Sequence, residues 1–108
     1  MARRGAVRER AGEESLVVLG RALCDPVRAR MLLMLAGEED SRGICVCEFV
    51  ERFGMGQSRV SYHLGRLREA GLVREERRGK WSYYSLERGV LAGLLSGASR
   101  ALLGGEGS

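Results

Sequence analysis

Residues 57–72, QSRVSYHLGRLREAGL, constrain this chain more than any other stretch. Glycines bracket it: Gly56 can serve as an N-cap, and Gly71 can end a helix in the left-handed conformation. Between them Val60, Leu64 and Leu67 recur at helical spacing, which predicts a helix with one apolar face. Gln57 lies at its start, and Ser58, Arg59, Ser61, Tyr62, His63 and Arg66 fall largely on the remaining surface. A face that mixes hydroxyls, an amide, an imidazole and guanidinium groups can bond base edges and phosphates together. An ordinary solvated helix face is the competing reading, and the flanking segments weigh against it.

Before this stretch, Cys24-Asp25-Pro26 reads as a helix start. Asp25 suits the N-cap, and proline suits the first helical position, where its missing N–H costs nothing. The helix is expected over 26–36, with Val27, Met31, Met34 and Leu35 inward and Arg28 and Arg30 outward. Residues 37–43 form a polar turn and 44–46 a short extended piece. A helix over 47–53, with Phe49, Val50 and Phe53 inward, then leads through Gly54-Met55-Gly56 into the opening stretch. Two short helices joined by a glycine-containing turn are a helix-turn-helix signature.

After it, residues 72–77 and 80–86 read as two strands around a turn at Arg78-Gly79, with β-favouring Trp81, Tyr83 and Tyr84 in the second. Arg77, Arg78 and Lys80 crowd the tip, where a hairpin wing can reach phosphates or the minor groove. Residues 87–103 form a last helix with a wide apolar stripe of Val90, Leu91, Leu94, Leu95, Ala98 and Leu102, interleaved with small residues. An earlier helical pattern, Leu16, Leu19 and Leu23, begins at Glu14. So apolar a terminal helix on a small domain calls for a partner surface, most simply its own copy.

The 108 residues leave room for one domain, over 14–103, between a flexible basic arm at 1–13 and a flexible tail at 104–108. The fold expected is mainly α with a small β-hairpin: about five helices plus a two-stranded wing. A net charge of +4 is compatible with nucleic acid. There is no run of about 18 apolar residues, so a cytoplasmic chain with no membrane partner is expected. Its three cysteines then favour metal or redox chemistry over structural disulfides.

Taken together, ALCDPVRARMLLML, ICVCEF, MGQSRVSYHLGRLREAGLV and RRGKWSYYSL, in this order and spacing over about residues 16–95, resemble the ArsR/SmtB family of winged-helix repressors. The resemblance implies a homodimer formed by the first and last helices, bound to double-stranded operator DNA and released by an inducer. Its two recognition helices would enter major grooves about 34 Å apart. Carried onto this chain, the family's DNA-reading positions are Gln57, Ser58, Arg59, Ser61, Tyr62 and His63. Arg66 would touch backbone, and Arg77, Arg78 and Lys80 would form the wing tip. His63, the only histidine, is expected as a DNA or packing residue and not as a metal ligand.

Cys45 and Cys47 occupy the family's inducer position. Thiolates are soft ligands that suit As(III), Sb(III), Cd, Pb or Zn. With Zn–S bonds of about 2.3 Å, two sulfurs on one tetrahedral centre lie roughly 3.8 Å apart. An extended backbone puts alternate side chains on one face and allows that approach. Small core cysteines are the plainer alternative. Two departures from the family matter. Arsenite-responsive relatives often carry a third cysteine where this chain has Val50, and cadmium- and lead-responsive ones carry cysteines in an N-terminal arm, where residues 1–15 have none. Cys24 is the one candidate third ligand. The family's other site, built from Asp, His and Glu on the last helix, finds only Glu87 here. As(III) or Sb(III) is therefore the expected inducer, ahead of Cd, Pb and Zn, with no catalytic cofactor. Sensing of oxidants or persulfides by the same thiols is the alternative. A thiol oxidoreductase is remote, because the chain has neither CxxC nor a second histidine.

Overall fold

The computed structural model describes residues 2–104 in five helices and three strands. The helices are α1 (Ala2–Leu23), α2 (Pro26–Ala36), α3 (Val46–Phe53), α4 (Gln57–Glu69) and α5 (Arg88–Leu103); the strands are β1 (Ile44–Cys45), β2 (Val73–Arg78) and β3 (Trp81–Leu86). Asp25 caps α2 as its sequence predicts, its carboxylate accepting from the Val27 N–H at 2.7 Å, with Pro26 at the first position. Gly54, in the left-handed conformation, ends α3. Helix α4 stops at Glu69, shorter than the expected 57–72, and Gly71 follows with φ +80°.

One core joins these elements. Met31, Phe49, Val60, Leu64, Leu67 and Leu72 are fully enclosed, so α2, α3 and α4 pack around the start of β2. Tyr84 and Leu86 close that core from β3.

The structure corrects the sequence reading in two places. Residues 2–13, expected as a flexible arm, continue α1 from Ala2. Their Ala, Arg and Glu residues are good helix formers, and α1 lies along α5. The helices approach closely at two glycines, since a β-carbon at Gly12 would collide with Ala101 and one at Gly97 with the Ser15 hydroxyl. The expected tail at 104–108 lies outside the described residues beyond Gly104.

The second correction concerns the wing. The sheet has three strands, in the order β1-β3-β2, both pairings antiparallel. The short β1 pairs Ile44 with Tyr84 and Cys45 with Tyr83. Two residues carry too little pattern to announce a sheet partner, yet this pairing fixes where Cys45 lies. Gly43 makes it feasible: its φ is +85°, and a side chain there would run into the Tyr84 carbonyl.

Along α1 and α5, Leu16, Val17, Leu23, Val90, Leu95, Leu102 and Leu103 stay exposed. Among the described residues no helix is long and apolar enough to cross a membrane.

Candidate DNA interface and thiol site

Helix α4 is anchored by Val60, Leu64 and Leu67, each with no exposed surface. Its opposite face presents Gln57, Ser58, Arg59, Ser61, Tyr62 and Arg66 to solvent, as expected. Arg66 pairs loosely with Glu69 one turn on, at 3.3 Å. Exposed pairs of this kind contribute little and yield readily to a phosphate.

His63 departs from that expectation. It is 5% exposed, and its Nδ1 lies 2.9 Å from Nη1 of Arg28. Spacing explains why: 60, 63, 64 and 67 are one helical stripe, so His63 belongs to the buried side. Direct base contact by His63 is therefore withdrawn, and packing is its role here. Arg28, expected to face outward, is likewise 5% exposed. It shares the stripe of Leu32 and Leu35, and its guanidinium also bonds the carbonyls of Ala22, at 2.8 Å, and Arg21, at 3.3 Å. Helical spacing held this signal; the residue's charge hid it.

At the wing tip, Arg77 and Lys80 make no ion pair with other described residues, and Lys80 sits 5.7 Å from the Trp81 ring centre. Arg78 is more engaged. It stacks 4.7 Å over the Tyr83 ring and pairs with Glu76 at 2.9 Å, within the hairpin itself.

The thiols sit where β1 turns into α3. Cys45 is buried and acts as the N-cap: its Sγ accepts from the Cys47 N–H at 3.3 Å, while the Glu48 carboxylate accepts from the Cys45 N–H at 3.4 Å. This is a capping box with a thiol in the serine place. Cys47 is exposed. A side-chain hydrogen bond with Cys45 that favours the protonated Cys47 thiol is the main cause pushing it above its ordinary range, followed by desolvation and the nearby charges of Cys45 and Glu48. The two side chains are therefore near enough to act on one another.

Both thiols open into a groove of about 460 Å³ between α3, α4 and the hairpin. Gln57, Ser61, Arg77 and Lys80 line the same groove, so the thiols share it with residues from the candidate DNA-reading face. Cys24 lies elsewhere, at the end of α1, bonded to the Arg21 carbonyl and to Arg28 Nη2, each at 3.4 Å. Among the described residues no three His, Cys, Asp or Glu side chains gather as a metal site. Within one chain, Cys24 thus does not complete a three-ligand site with Cys45 and Cys47.

Residues 25–75 match the sequence profile of the bacterial regulatory proteins of the arsR family. The arsenical resistance operon repressor of Bacillus subtilis is 42% identical over 77 residues, covering 70% of each chain. The chain belongs to the ArsR family. The arsenic resistance transcriptional regulator ArsR1 of Pseudomonas putida is 41% identical over 69 residues, spanning 64% of this chain but only 52% of that protein. The transcriptional repressor BigR of Xylella fastidiosa superposes with a TM-score of 0.63 at 30% identity, over 95% of this chain and 98% of that one. Its fold is accordingly that of the family's winged helix-turn-helix transcriptional regulators. As an ArsR-family protein it has α3–α4 as its helix-turn-helix and the β2–β3 hairpin as its wing.

Proposed function

We propose that this ArsR-family repressor leaves its operator when As(III) or Sb(III) condenses with the thiols of Cys45 and Cys47. One observation carries the reading: Cys45 is the cap of α3 and, with Cys47, opens into a groove shared with Gln57 and Ser61 of α4 and Arg77 and Lys80 of the wing. Moving Cys45 onto an inducer removes the Sγ acceptor that satisfies the first turn of α3. It also pulls on β1, which is paired to the wing strand β3. The inducer must bind the DNA-free form more tightly than the bound one, and the ratio of those affinities sets the release.

Two thiols with no third ligand gathered beside them among the described residues suit a metalloid better than a divalent metal that prefers a fuller ligand set. Arsenous acid condenses with two neutral thiols and liberates two waters, leaving one hydroxyl on arsenic, with no net proton released. Cd, Pb or Zn must instead displace both thiol protons. The names of the Bacillus subtilis and Pseudomonas putida relatives, both concerned with arsenic resistance, support the same assignment.

The DNA-reading set is Gln57, Ser58, Arg59, Ser61 and Tyr62, with Arg66 on backbone and Arg77, Arg78 and Lys80 at the wing. The operative form is a homodimer that covers the exposed leucines and valines of α1 and α5. A dimer also makes a pair of recognition helices for a roughly palindromic site. Cytoplasmic residence follows from DNA as the partner.

The second reading, thiol oxidation as the signal, draws on the neighbouring thiols and on the exposure of Cys47. Another structural neighbour, at 29% identity and a TM-score of 0.61, is described as reduced HlyU from Vibrio cholerae. Fluorescence anisotropy of the reduced protein on the DNA upstream of its own gene separates the two. Release by arsenite and antimonite, with little response to zinc, is expected. Release by peroxide or polysulfide alone would transfer the assignment to oxidation, and no release by any of them would overturn both.

A further inference from the structure

Arg28 and His63 form a contact that DNA reading and thiol chemistry leave unused. Both are almost wholly buried. Arg28 spans three helices: it belongs to α2, its Nε and Nη2 bond the last carbonyls of α1 at Ala22 and Arg21, and its Nη1 meets His63 Nδ1 on α4. Those α1 carbonyls lack intrahelical partners, so the guanidinium satisfies a helix end as it ties that end to α4. The other groups facing the pair are the Cys24 thiol at the end of α1, Asp25 ahead of α2, and Arg59 and Tyr62 on α4.

The geometry fixes the protonation state of the imidazole. Arginine has only donors, so Nδ1 of His63 must accept, and the ring is neutral with its proton on Nε2. A proton on Nδ1 would set two donors and two positive charges against each other at 2.9 Å.

We propose that Arg28 and His63 are positioning residues that hold the recognition helix against the end of α1, and that tight operator binding requires His63 to be neutral. Ser61 and Tyr62, exposed on the recognition face, directly precede His63 in the same helical turn, so a shift of the buried ring moves that face. The surroundings are consistent with this role. Burial, with the positive charges of Arg28 and Arg59, lowers the His63 pKa below its ordinary value of 6.5, against the opposing pull of Asp25. The neutral form is thus dominant at neutral pH, and the contact is lost as pH falls below the ordinary histidine range and through the lowered value.

The sign of the predicted effect is unusual. Protonating a basic protein ordinarily strengthens its hold on phosphate. Here operator affinity, measured by anisotropy at constant ionic strength, is expected to fall at least about fivefold between about pH 7.5 and about pH 5.0. His63→Gln offers Arg28 a carbonyl acceptor that does not titrate, and its affinity should stay flat over the same range. His63 is the sole histidine, so the wild-type profile alone decides the matter if that variant fails to fold. Wild-type affinity that is unchanged or rises on acidification would overturn the proposal. So would the same fall in His63→Gln, or loss of helical circular dichroism by the wild type at the lower pH. The inference rests on operator binding at pH 7.5 and not on the inducer, so it stands or falls apart from the arsenic assignment.

Discussion

A chain carrying Cys45→Ser and Cys47→Ser is expected to hold its operator like the wild type and to ignore arsenite. Serine at 45 keeps the cap, because its hydroxyl can accept the Cys47-position N–H in place of Sγ, and serine is among the best N-cap residues. The α3–α4 pair should therefore remain intact, with DNA affinity within about threefold, or ~0.7 kcal/mol. What serine cannot do is bind a soft centre. The arsenite concentration needed for release should rise by more than about 100-fold, equivalent to ~2.8 kcal/mol. Release of the double variant at wild-type arsenite would place the inducer elsewhere, and a collapse of DNA binding would show the thiols to be structural.

The second large effect lies outside both sites. Gly43→Ala places a methyl group at φ +85°, against the Tyr84 carbonyl and the Ser85 hydroxyl, which is 2.5 Å from the ideal β-carbon position. Left-handed strain costs about 1–3 kcal/mol and forced overpacking a similar amount, so the expected loss of stability is about 2–5 kcal/mol. In a domain of this size that lowers the melting temperature by on the order of 10–20 °C. Because Gly43 precedes β1, the pairing of Cys45 with Tyr83 should loosen with it, and the arsenite response should weaken even where the protein still folds. Thermal melting followed by circular dichroism checks the first part; a shift of only a degree or two would mean that β1 is not held as the structure has it.

Periodicity carried most of this architecture. The stripe of Val60, Leu64 and Leu67, the Asp25-Pro26 start and the basic hairpin tip each have a local physical cause, and each lies where the sequence puts it. The misses share a different origin. Arg28 and His63 occupy core positions of their helices, but a buried charge is legible only with its partners, which lie 35 residues apart in this pair. The two-residue β1 exists because β3 supplies its hydrogen bonds, a long-range cause that leaves no local pattern. The extent of α1 depends on α5 lying beside it. For the candidate site, the Cys-Val-Cys spacing was plain, whereas the groove that places the thiols beside Gln57, Ser61, Arg77 and Lys80 came only from the packing of α3, α4 and the hairpin. Cys24 shows the converse: sequence offered it as a third ligand, and the fold holds it at the end of α1.

Counting reactive thiols tests the central claim most directly. The reduced, DNA-free protein has three cysteines per chain, which denaturation in a chromogenic disulfide reagent should report in full. Saturation with arsenite, removal of the excess and titration of the native protein should show two thiols per chain protected, with Cys24 still reactive. Mass-spectrometric mapping after alkylation should place the label on Cys24 alone. Protection of all three thiols, or of Cys24 with only one of the pair, would contradict a site built from Cys45 and Cys47.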